Sequence, residues 1–170
     1  SLLTNTFIPG FISVAEAAYS NIDADGDGTV SAAQTTCGGG GNFDCLNDGV
    51  ATSSNPGTGS DFLAFSGGNQ DFYTMTTLPA VDAVSRVSVP VYHLETSANM
   101  RLSVALWDAT ETTQYGTTIQ FANAASSLWD TAVFSGLSLT QTQLDGLRVE
   151  LSCARVGGGK SNECNAYAMF

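Results

Sequence analysis

From Phe62 onward the apolar residues fall on alternate positions in short runs, and a period of two confines those runs to half-buried β-strands. In Val84–Leu94 the valines stand at 87, 89 and 91. In Met100–Trp107 the apolar set is Met100, Leu102, Val104 and Leu106, and Leu147, Val149, Leu151 and Cys153 share one parity. Side chains alternate across a strand, so each run presents one apolar face. With Phe62–Phe65, Phe72–Leu78, Thr117–Phe121, Asp130–Phe134 and Asn165–Phe170 the sequence predicts about eight strands separated by turn residues, the pattern of an antiparallel β-sandwich. Pro90 inside a run places its strand at a sheet edge or at a bulge, because proline donates nothing to a ladder.

At 170 residues the chain is long enough to bury one sizeable core. The expected organisation is a β-sandwich domain over 61–170. Residues 1–60 form an elaboration: an apolar arm at 1–12, an acidic loop, and a Gly-rich surface loop. Five basic against 16 acidic residues give a net charge of −11, which repels nucleic acid and anionic membrane surfaces, so neither is an expected partner. Charged residues make up only 12 %, leaving Ser, Thr, Asn, Gln and Gly to cover the surface. Such a surface, with Lys160 the only lysine, fits a secreted or virion-exposed protein and permits self-association or packing on other structural subunits. No stretch reaches the roughly 18 apolar residues of a membrane span, so no membrane insertion is expected.

The four cysteines form two close pairs, Cys37 with Cys45 and Cys153 with Cys164, each bracketing a Gly-rich loop. Local disulfides are the expectation, and with them an extracellular, surface-appendage or virion-exterior location; four reduced, partly buried thiols are the alternative. Thiolate metal sites are disfavoured, since neither pair has CxxC spacing and His93, the only histidine, is distant in sequence. A Cys153–Cys164 bridge would join the inward faces of two strands across the last hairpin.

Residues 23–34, DADGDGTVSAAQ, place carboxylates on alternate positions at Asp23, Asp25 and Asp27, followed by Gly28. Three like charges in a tight loop repel one another unless a hard divalent cation neutralises them; an acidic turn without metal is the alternative. Ser13 with Glu16 three residues on has capping-box spacing and predicts an entering helix over 13–22, and 31–36 reads as a short exiting helix. The stretch resembles the calcium loop of EF-hand and dockerin proteins. The resemblance implies Ca2+ held by the side chains of Asp23, Asp25 and Asp27, the carbonyl of Thr29, Ser31 through water, and Gln34 where the family has a bidentate Glu. The neutral amide at that last position implies a weakly held structural ion.

Residues 71–170, through DFYTMTTLPAVDAVSRVSVPVY, RLSVALWD and LDGLRVELSC, resemble single jelly-roll modules of bacteriophage structural proteins and bacterial surface proteins. That resemblance implies a jelly-roll sandwich and brings no catalytic residues with it. No GxSxG is present and His93 has no triad around it, so it reads as structural. The run ARVGGGKS at 154–161 has Ala154 where a phosphate loop needs its first glycine, and reads as a hairpin tip. Glu95, Glu111 and Glu150 offer carboxylates for hydrolysis, yet no spacing singles out a pair. The leading expectation is a non-enzymatic structural or surface-exposed assembly module supported by calcium and disulfides. The alternative is a carbohydrate-binding module. Of the aromatic residues Tyr73, Tyr92, Trp107, Tyr115 and Trp129, the glycan-stacking candidates are Trp107, Trp129 and Tyr115.

Overall fold

The computed structural model describes residues 24–30, 33–35, 42–46, 62–77, 80, 83–157 and 162–169. Their strands are β1 (Ala24–Asp27), β2 (Ala33–Thr35), β3 (Phe62–Ser66), β4 (Gln70–Met75), β5 (Val84–Glu95), β6 (Met100–Trp107), β7 (Gln114–Gln120), β8 (Leu128–Leu139), β9 (Arg148–Arg155) and β10 (Glu163–Met169). One five-stranded sheet has the order β1-β4-β9-β6-β7 and the other β2-β3-β10-β5-β8. The paired strands are antiparallel. From β3 to β10 every connection except β6–β7 crosses from one sheet to the other, which makes a jelly-roll-like sandwich.

The parities read from the sequence are the ones buried. Val89 and Val91 of β5, Met100, Leu102, Val104 and Leu106 of β6, and Leu147, Val149, Leu151 and Cys153 around β9 all lie in the core with Phe65, Tyr73 and Met169. Each strand thus spends its apolar face between the sheets and needs a partner sheet to cover it.

Pro90 departs from the expectation of an edge strand. β5 lies between β10 and β8, and Pro90 stands opposite Thr131 of β8. The described β10 ladder runs as far as Met169 opposite Val91, so Pro90 lies at the end of its described length.

Cys153 and Cys164 are disulfide-bonded with Cα atoms 5.9 Å apart. Because β9 and β10 belong to different sheets, the bond is a staple across the sandwich and not a link within one sheet's hairpin. Cys45 is buried and disulfide-bonded; Cys37, its expected partner, lies outside the described residues.

The helix–loop–helix expectation is corrected at its second half. Residues 33–35 form β2, paired with β3 through Ala33–Ala64, Gln34–Leu63 and Thr35–Phe62, where an exiting helix was expected. Edge pairing gives this short segment ladder partners that a lone helical turn would lack. The entering helix at 13–22, the apolar arm at 1–12, Asp23, Ser31 and Lys160 all lie outside the described residues. One short helix that the sequence did not announce, α1 (Gln141–Asp145), starts at Thr140 with a capping box to Gln143 and buries Leu144 against the core.

Candidate functional site

Alternation on β5 sends Val89, Val91, His93 and Glu95 inward and leaves Tyr92 on the outer face. Tyr92 stands opposite Trp129 of β8, so that indole shares its face. On the other side of β5, a register shift between Ala166 and Ala168 of β10 sets Tyr167 beside Tyr92. Phe62 then adjoins Tyr167 from β3, one residue before the Leu63–Ala166 pair.

The four rings form a row across four adjacent strands. Centroids are separated by 5.4 Å for Phe62–Tyr167, 5.6 Å for Tyr167–Tyr92 and 5.3 Å for Tyr92–Trp129. Interplanar angles of 43–59° mean the rings are tilted against each other and not stacked face to face. Each is half-buried, so each keeps part of its apolar surface open. The row runs perpendicular to the strands and ends at Trp129 on an edge strand.

Directly behind the row, the next residues along the two strands point into the sandwich. His93 is fully buried, with Nδ1 3.0 Å from Glu95 Oε1 and Nε2 3.2 Å from Asp130 Oδ2. Its ring stacks on Phe121 at 4.9 Å and 19°. Each ring nitrogen thus has a carboxylate oxygen within hydrogen-bond reach. Glu95 also accepts the N–H groups of Leu102 at 3.2 Å and Ala124 at 2.5 Å. Burial pushes the Glu95 carboxyl up, but the hydrogen bond from His93, the Ala124 and Leu102 N–H groups and the imidazole charge together hold it below its ordinary value. This Glu95–His93–Asp130 triad ties β5 to β8 under the Tyr92–Trp129 pair.

The three stacking candidates read from sequence do not come together. Trp129 is in the row. Trp107 lies on the outer face of the opposite sheet, edge-on to Phe72 at 5.9 Å, with Nε1 donating to Glu150 Oε2 at 2.5 Å. Tyr115 packs against the rim of the core. Tyr73 is fully buried and donates to Asp71 Oδ2 at 3.0 Å; burial first, then the Asp71 charge, pushes its hydroxyl well above the usual tyrosine range. Phe62 and Tyr167 were missed. The signal was their outward parity on β3 and β10, which points to a shared site only once the strand order is known.

The acidic stretch takes a shape other than the expected loop. A bulge between Ala24 and Gly26 makes Asp25 the extra residue of β1, where its Oδ1 accepts from Thr74 Oγ1 at 2.6 Å. Asp27 stands opposite Tyr73 on the inward side, and its Oδ2 accepts the Asn42 N–H at 2.7 Å. Thr74 and Tyr73 are neighbours on β4 and face opposite ways, so the two carboxylates diverge. The Thr29 carbonyl accepts the Phe72 N–H at 2.9 Å, and Gly28 donates to the Phe72 carbonyl at 2.6 Å. Gly28 is needed for close approach: a Cβ there would sit 2.9 Å from that of Phe72. Asp25 and Asp27 thus turn to opposite sides of β1, while Asp23 and Ser31, two further ligands of the expected loop, lie outside the described residues. The side chain of Gln34 is not among those described. Among the described residues no group of three or more His, Cys, Asp or Glu converges as a metal site.

No family model matches the chain, and no curated protein matches it. Among solved structures it is similar in strand arrangement to a carbohydrate-binding module of Cellvibrio mixtus lichenase 5A in complex with cellotriose. That match has a TM-score of 0.44 and 14 % identity, over 86 % of this chain and 88 % of that one. A second similar structure is TmCBM61 in complex with β-1,4-galactotriose, with a TM-score of 0.38 and 10 % identity over 70 % of this chain and 79 % of that one. A third is the enzymatically active domain of bacteriophage CBA120 tailspike protein 4, with a TM-score of 0.38 and 8 % identity, covering 88 % of this chain but 18 % of that one. These are likenesses of shape; what the chain binds has to be read from its own side chains.

Proposed function

We propose that this chain is a non-catalytic carbohydrate-binding module and that its ligand lies along the row Phe62–Tyr167–Tyr92–Trp129. The observation that carries this is four half-buried aromatic rings aligned on one outer sheet face. The C–H face of a pyranose ring is apolar and flat, and an aromatic surface is its natural partner. Covering part of one ring removes on the order of 50–100 Å² of apolar surface from water, about 1–2.5 kcal/mol. Replacement Trp129→Ala should therefore weaken binding roughly tenfold or more, Tyr92→Ala similarly, while Trp107→Ala on the opposite sheet leaves affinity unchanged. Calorimetry with soluble polysaccharides reads this directly. Equal loss from Trp107→Ala and Trp129→Ala, with folded protein in both cases, would show that the row is not the site.

The inter-sheet disulfide fits an oxidising compartment, and no helix among the described residues is long and apolar enough to cross a membrane. Display outside the cell, on a surface appendage or on a virion exterior, is the setting we propose for such a module. Calcium belongs to the same proposal in altered form. Since Asp25 and Asp27 face opposite sides of β1, an ion in this region would engage Asp27 together with Asp71, which also accepts from Asn42, and not Asp25. Calcium should then raise the melting temperature of the wild type and of Asp25→Ala but not of Asp27→Ala. Loss of the effect in both variants would restore the loop reading, and absence of any calcium heat in the wild type would remove the ion from the account.

A further inference from the structure

We infer that the row takes an internal stretch of a neutral, extended glycan and rejects anionic ones; this rests on the carbohydrate-binding reading and adds the class of ligand. Direction is the first argument. The rings advance by one strand each, at steps of 5.3–5.6 Å, and stay on one side of the sheet, so the ligand they match is elongated and runs across the strands. A pocket that caps a chain end would need walls, whereas among the described residues this row lies on a sheet face and ends at β8, the last described strand of its sheet. A chain longer than the row can therefore continue past it.

Charge is the second argument. The outward positions that flank the rings are Pro90 and Leu94 on β5, Asn165 on β10 and Thr131 on β8, none of them ionisable. Asp130, next to Trp129 in sequence, is engaged with His93 on the inward side. Of the described basic residues Arg86 alone shares this outward face, six positions along β5 from Tyr92, so no cation flanks the rings to pair with a uronate or sulfate, and the chain as a whole carries −11. A polyanion would meet repulsion that only added salt could screen.

Third, Asn165 is 6 % exposed, and its Oδ1 accepts no hydrogen bond. It lies two residues before Tyr167 on the same side of β10. A buried carbonyl oxygen without a donor is costly, and a small outward turn of the side chain on glycan binding would bring it a hydroxyl, a neutral donor.

The test is calorimetry of the full chain against a ladder of neutral β-linked oligosaccharides from one to six sugars, and against a uronic-acid polysaccharide at low and high salt. Affinity should climb by at least tenfold from the monosaccharide to the tetrasaccharide and then level. Reduction of the terminal sugar to an alditol should leave the longest ligand's affinity within about twofold, and the uronate should show no binding at low salt. Phe62→Ala should reduce affinity for the longest ligands and leave that for the disaccharide unchanged. Tight binding of the uronate at low salt, or equal affinity for one sugar and four, overturns the inference while leaving glycan binding itself intact. No heat with any glycan overturns the underlying reading too.

Discussion

Replacing His93 by leucine is expected to lower the stability of the fold by about 3–5 kcal/mol, the cost of leaving a buried carboxylate without its side-chain partner. The loss falls on Glu95, which is 2 % exposed and keeps only the N–H groups of Leu102 and Ala124. Asp130 is 39 % exposed at its side chain and can turn to water. For a domain whose total stability is about 5–15 kcal/mol this is a large fraction. Combining His93→Leu with Glu95→Leu should recover part of the loss, since an apolar pair of similar volume replaces the ions, and the double-mutant cycle measures the coupling. Acid exposes the same triad. The Glu95 carboxyl is held below its ordinary value of 4.5 in the folded chain, so its contribution is complete above that value and is lost as pH falls through the folded value. The wild type should therefore lose stability on acidification more steeply than Glu95→Gln. Identical acid limbs in urea melts of the two proteins would contradict the assignment.

Removal of the inter-sheet bond by Cys153→Ala with Cys164→Ala should cost about 3 kcal/mol, because the bond closes a loop with a sequence separation of 11 and removes that freedom from the unfolded chain. For a chain of this size each kcal/mol moves the melting temperature by about 2–4 °C, so a fall of about 6–12 °C is expected. Both cysteines face the core at 2 % and 0 % exposure, and truncation adds a small cavity cost in the same direction. The double variant is the better probe than reductant, which would also open the bond at Cys45. A melting curve that does not move would mean that β9 and β10 are held by packing alone.

Much of the sandwich is legible from residue parity. Valines at 87, 89 and 91 and the set Met100, Leu102, Val104 and Leu106 announce both the strands and the faces they bury. Parity says nothing of which strands lie side by side. Tyr92, Trp129, Tyr167 and Phe62 are scattered over more than a hundred residues and meet only because β3, β10, β5 and β8 are neighbours. The backbone shape of the acidic stretch is hidden from the sequence for a related reason. Alternate carboxylates suit a loop that wraps an ion, but they equally suit a strand, and the bulge at Asp25 that separates its carboxylate from that of Asp27 depends on pairing with β4, a partner some fifty residues away. His93 was read as structural, and it is; that its partners are Glu95 and Asp130 follows from the β5–β8 register, which no local pattern encodes.

The two tryptophans of the chain lie on opposite outer faces, Trp129 in the aromatic row and Trp107 beside Phe72, and that placement makes the central claim measurable by intrinsic fluorescence. In a Trp107→Phe variant the emission comes from Trp129 alone, and titration with a neutral oligosaccharide should shift and saturate it at the affinity found by calorimetry. In a Trp129→Phe variant the remaining signal should stay flat through the same titration. A response from Trp107 with silence from Trp129 would place the ligand on the other sheet and contradict the site assigned here.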